Sequence, residues 1–138
     1  MRRILWALAA CCTLALSAPP SVAQSVEHAP PGAPYKKVSE LVKLPDFLPG
    51  LGTLYVDPKT PEGPYLAYDH AGKLVSTLYM IPLKDLNAQK SWSDLPAPGG
   101  TVDHTTISYN AGHPGMQEPH FHIVLWHVPR TEEKLVAK

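Results

Sequence analysis

The run Asp103–Pro129, D-H-T-T-I-S-Y-N-A-G-H-P-G-M-Q-E-P-H-F-H-I-V-L-W-H-V-P, holds five of the chain's seven histidines and decides how the rest is read. Val102–Tyr109 and Pro119–Val128 are rich in β-branched and aromatic residues, and a glycine- and proline-bearing loop, Asn110–Glu118, joins them. That is the signature of an antiparallel hairpin. Alternate residues of a strand share a face about 6.6 Å apart, so His120 and His122 project together. Pairing Tyr109 with Pro119 sets Ser108 opposite His120, Thr106 opposite His122 and His104 opposite Val124. One face then carries His104, Thr106, Ser108, His120 and His122. The other carries Ile107, Tyr109, Phe121, Ile123 and Leu125, an apolar surface suited to a core. A slip of one residue would move His104 to the other face.

Two imidazoles from one strand, a third from the loop and one carboxylate suit a divalent transition metal, zinc or copper above all. In Gly112-His113-Pro114-Gly115 the glycines permit a sharp turn and the proline stiffens it, which aims His113 back at the sheet. Glu118 precedes Pro119 and is therefore extended. It is a candidate ligand, or an acceptor behind the ligands. His104 is a candidate fourth ligand or hydrogen-bond partner, and Met116 matters only for copper(I). The competing reading is a metal-free strand face on which Thr106 and Ser108 satisfy the rings. His127 points the other way and reads as structural. Trp126 falls on the histidine face, either walling the site or packing.

The chain has no G-x-S-x-G serine and no phosphate-cradling glycine loop, so an enzyme here would need metal-activated water or oxygen chemistry. The His-x-His pair is similar to that of cupin metal sites. That pattern, however, needs a glutamate a few residues on, where Ile123-Val124-Leu125-Trp126 stand. The sequence therefore leans away from an enzyme.

Arg2-Arg3, the apolar run Ile4–Ala18 and Ser21-Val22-Ala23 are the three parts of a secretory signal peptide, with cleavage expected after Ala23. Leu8-Ala9-Ala10-Cys11 offers a lesser alternative, lipidation of Cys11. Periplasmic or extracellular placement follows from either, and no integral membrane span is expected, because the apolar run is short and broken by Pro19 and Pro20. Both cysteines lie in this segment, which leaves no thiol for a disulfide, a thiolate site or a nucleophile. Removing Arg2 and Arg3 leaves 10 basic against 12 acidic residues, a net charge of −2. With no basic patch, nucleic acid is not an expected partner.

About 115 residues remain, enough for one modest core. Sixteen prolines in the whole chain limit helix and favour short strands between turns. Residues 24–34 read as a flexible leader with almost nothing to bury, and 35–138 as a single domain. Within it, Val38, Leu41 and Val42 predict a turn of helix, and Leu44–Gly52 a loop plugging one end of the core. Thr53–Val56, Pro64–Asp69 and Lys73–Ile81 predict strands, the last two forming a hairpin at His70-Ala71-Gly72. Pro82–Lys90 predicts a short helix, Ser91–Gly100 a loop anchored by Trp92 and Leu95, and Thr131–Lys138 a charged tail with a turn or two of helix. The fold expected is mostly β, a small antiparallel sheet or partial barrel with one or two short helices.

Val102–Asn110 and Gly112–His127 together resemble a family of small exported bacterial domains of unknown function, which includes a periplasmic, sigma-factor-regulated protein of Thermus. The family's pattern is an Asn-containing turn, G-H-x-P, then P-H-F-D-x-H followed by aromatics. Gly112-His113-Pro114 and Pro119-His120-Phe121 match it, with Pro114 one residue early, His122 in place of the Asp and Val124 in place of the second His. The resemblance runs from about Leu51 to Pro129. It implies export, a β-rich fold and a capacity to self-associate as a homo-oligomer, with no activity and no inherited ligand set. Three readings follow: a metal-binding module using His113, His120 and His122, a metal-dependent enzyme, and an interaction or assembly protein.

Overall fold

A computed structural model describes residues 25–138. The expected signal peptide, 1–23, lies outside the described residues. Six strands form one antiparallel sheet: β1 Lys36–Lys37, β2 Thr53–Val56, β3 Tyr65–Tyr68, β4 Leu74–Pro82, β5 His104–Asn110 and β6 His120–Trp126. Their order across the sheet is β1-β2-β3-β4-β6-β5. Two short α-helices, α1 Val38–Leu41 and α2 Leu83–Asn87, and a 3-10 helix at Arg130–Val136 complete the fold. The mostly β expectation holds, and of its two forms the structure has the antiparallel sheet, not the partial barrel. β1 and β5 stand at opposite edges with no ladder between them, so the sheet is open.

β4 is the central strand. Leu74 to Ile81 are all buried, because layers cover both faces of the sheet there. On one face Leu54, Ala67, Leu78, Met80, Val124 and Trp126 form the main core. Against them lie Val38 of α1, Phe47, Leu48 and Leu51 of the following loop, and Leu135 and Val136 of the 3-10 helix. On the other face Leu66 and Tyr68 pack with Val26, Ala29 and Tyr35. There too, Thr77 and Tyr79 donate hydroxyl hydrogen bonds to the carbonyls of Pro98 and Pro96.

Residues 25–34, expected to have almost nothing to bury, are tied to this second face. The Ala29 amide donates to the Gly72 carbonyl, the Leu74 amide to the Glu27 carbonyl, and the Tyr68 hydroxyl to the Val26 carbonyl. Backbone groups do most of this work, and composition is blind to them.

The histidine hairpin forms as expected but in another register. β5 and β6 pair with His104 opposite Trp126, Thr106 opposite Val124, Ser108 opposite His122 and Asn110 opposite His120. The offset from the expected pairing is two residues. It preserves parity, so His104, Thr106, Ser108, His120 and His122 still share a face.

Which face is buried came out reversed. His120 and His122 are 0% and 8% exposed, while Ile107 and Tyr109 are 66% and 57% exposed. The face expected to seat on the core is the outer one at this edge of the sheet. The reason is topological. β6 lies beside β4, so His122 pairs with Met80 and Val124 with Leu78, on the side that α1 and its loop cover.

Candidate metal centre

His120 and His122 reach the site from β6, and His113 from the loop above it. The loop is bent by a two-way turn in which the His113 amide donates to the Met116 carbonyl and the Met116 amide to the His113 carbonyl. Pro114 and Gly115 are its central residues. Gly115 has φ +92°, the left-handed backbone that the second central residue of a type II turn requires. Gly112, at φ +129°, has no room for a side chain, since a Cβ there would run into the Gln117 carbonyl. The glycines thus fold the loop over β6 and bring the His113 ring down to the sheet.

The three Nε2 atoms converge. His120 and His122 are 2.9 Å apart, His120 and His113 3.2 Å, and His113 and His122 3.4 Å. Three nitrogens about 2.05 Å from a common tetrahedral centre would sit about 3.4 Å from one another. The observed spacing needs only a few tenths of an ångström of opening.

The hydrogen bonds behind the rings fix which nitrogens are free. His120 donates its Nδ1–H to the Glu118 carbonyl at 2.6 Å, and His113 donates its own to the Pro114 carbonyl at 2.9 Å. In the neutral rings both Nε2 atoms therefore carry bare lone pairs, and they face each other at 3.2 Å. A single N–H on His122 can serve one of them well, not both. Burial is the main force holding the His122 ring neutral, with the neighbouring rings of His120 and His113 adding to it, and its pKa is pushed down to about 4. No carboxylate oxygen or thiolate joins the group among the described residues, so three uncharged imidazole donors are on offer. That donor set suits zinc or copper and is poor for calcium or magnesium, which need oxygen.

The other candidates are placed elsewhere. His104 pairs with Trp126 at the far end of the hairpin, four residues or about 13 Å along β6 from His122. Its Nδ1 faces Asp103 and its Nε2 faces Glu133, each at 2.8 Å, and the ring stacks on Trp126. Both nitrogens are thus engaged, and His104 is not part of the cluster. The Glu118 carboxylate turns outward to Lys84 at 2.6 Å, and only its main-chain carbonyl serves the site, behind His120. Trp126 is buried and donates its indole N–H to Thr106, a packing role. His127 is held by Thr77 and the Thr101 carbonyl on the opposite face, a structural histidine as expected. His70 is exposed at its turn and stacks on Phe47.

Sequence reading missed what borders the cluster. A cavity of about 330 Å³ lies between α1, the loop 44–51 and the sheet, with His113 and His122 in its wall. The apolar residues of α1 and that loop read only as core filler, because nothing local marks a gap between two packed layers.

No curated protein matches the chain. Residues 69–109 match the family described as TTHB210-like, hypothetical protein TTHB210. The crystal structure of hypothetical protein TTHB210 from Thermus thermophilus is similar, with a TM-score of 0.61 at 46% identity, over 68% of this chain and 93% of that one. The chain belongs to the TTHB210-like family. TTHB210-like membership brings a β fold and a small domain of unknown function, in accord with the resemblance seen in the sequence. The family match ends at Tyr109, before His113, so the cluster rests on this chain's own geometry. Among the described residues no helix is long and apolar enough to cross a membrane.

Proposed function

We propose that this TTHB210-like protein is an exported module that binds one divalent transition metal ion, zinc or copper, through Nε2 of His113, His120 and His122. The observation carrying this reading is the pair of bare lone pairs of His113 and His120, 3.2 Å apart beside a third buried ring. A cation at their centre turns these two facing lone pairs, and that of His122 once its ring proton sits on Nδ1, into three bonds. The Glu118 and Pro114 carbonyls support the same assignment, since an acceptor behind a ligating ring fixes its tautomer and strengthens its donor nitrogen. Export rests on the charge, apolar run and small-residue exit of residues 1–23. Metal analysis of protein purified without a histidine tag tests the site. One equivalent is expected in the wild type and none in His120→Ala/His122→Ala, and equal, negligible metal in both ends the claim.

A second reading, self-association, is favoured by one observation. Ile107 and Tyr109 stand exposed on β5, an unpaired edge strand, beside the half-buried Phe121. Exposed apolar edges invite another copy. Light scattering giving a monomer at high concentration removes this reading and leaves the metal site untouched.

A further inference from the structure

We propose that the cavity beside the histidine cluster binds the tail of a medium-chain aliphatic carboxylate whose head occupies the fourth position on the metal. The inference rests on the metal reading above. Three observations lead to it.

The first is charge. A divalent ion held by three neutral rings keeps its full +2, and no carboxylate of the described chain joins the group to offset it. His120 is fully buried and His122 nearly so, and burying an uncompensated charge is costly. The remaining ligand is best an anion, and the carboxylate closest in sequence to the ligands, that of Glu118, is committed to Lys84 on the outside.

The second is direction. His113 and His122 contribute to the cavity wall, whereas the fully buried His120 does not. The open side of the cluster therefore faces the cavity.

The third is the lining. Val38, Leu41, Val42, Leu44, Leu51 and Met80 are among the apolar residues of the wall, and no lysine or arginine is in it. An anionic head entering this space would find its only positive partner at the histidines, and beyond the head, Tyr65 and Asn110 apart, the wall is apolar. The volume, about 330 Å³, is at the small end of ligand sites. At roughly 30 Å³ of liquid volume for a water-sized group, it holds about ten such groups, the size of an octanoate ion.

The test is calorimetric titration of the zinc-loaded full chain with sodium octanoate, with sodium acetate as the head-only control and zinc content measured on the same sample. Each methylene buried is worth a factor of about four, so octanoate should bind at least a hundredfold more tightly than acetate. Leu41→Trp, a substitution at a partly exposed wall position, should weaken octanoate tenfold or more without changing zinc content. Equal binding of octanoate and acetate to a chain holding one zinc overturns the proposal and leaves the metal reading standing. Octanoate binding equally to the zinc-free chain overturns the assignment of the head to the metal. Absence of bound zinc removes the metal reading and this proposal with it.

Discussion

The hairpin carries histidines at both of its ends, on one face, and the two ends could hardly differ more. At one end His113, His120 and His122 aim nitrogens at one another with only carbonyls behind them. At the other, His104 is gripped between Asp103 and Glu133 and stacked on Trp126. The rings are identical, and so is the strand pair. The surroundings differ: carbonyls behind two rings leave their forward nitrogens bare as donors, while carboxylates at both nitrogens make the ring itself the partner of anions. What a histidine does is decided by the group behind it.

Four measurements break or sharpen this contrast. The largest effect should come from His120→Ala/His122→Ala. If binding energy of about 10–16 kcal/mol is shared over four ligands, removing two costs roughly ten-thousandfold in zinc affinity. His104→Ala should leave zinc affinity unchanged and cost about 1–2 kcal/mol of stability through lost hydrogen bonds and stacking. Equal metal loss in both variants, read by competition with a chelator of known affinity, would erase the distinction between the two ends.

Next comes pH. His122 titrates at about 4 in the folded protein, against an ordinary 6.5. The native state thus binds fewer protons than the unfolded chain, and its stability is whole above pH 6.5. It is lost progressively as pH falls toward about 4, by about 3 kcal/mol at most. Urea unfolding of metal-free protein between pH 7 and pH 4.5 measures this, and a flat profile would mean that the ring is not held neutral.

Zinc at a hundred times its dissociation constant should add about 2.7 kcal/mol to the wild type, and nothing to the double variant. Thermal unfolding with and without zinc reads the difference directly. The smallest effect is expected from Glu118→Gln, which breaks the exposed contact to Lys84 and keeps the main-chain carbonyl behind His120. Zinc content should not change, and a loss would bring the carboxylate back among the ligands.

Much of this was legible in the chain. Period-two alternation placed β3 and β4, β-rich runs bounded by turn residues placed β2 and the hairpin, and the G-H-P-G bend announced a loop aiming His113 at the sheet. Parity alone kept His120 and His122 together through the two-residue change of register. The placing of His104 and the Glu118 carboxylate outside the cluster was not recoverable locally. Glu133, which engages His104, lies 29 residues away, and Lys84, which draws off Glu118, lies 34 away.

By itself the sequence determined that a β hairpin would carry its histidines on one side and that a glycine-hinged loop would add a third. Those features follow from strand period and turn chemistry, which act over a few residues. Only the tertiary structure decided that this side faces inward, because burial depends on which layers the sheet recruits. β4 beside β6, with α1 and its loop on the same side of the sheet, turn a polar-looking face into part of the wall of an apolar cavity.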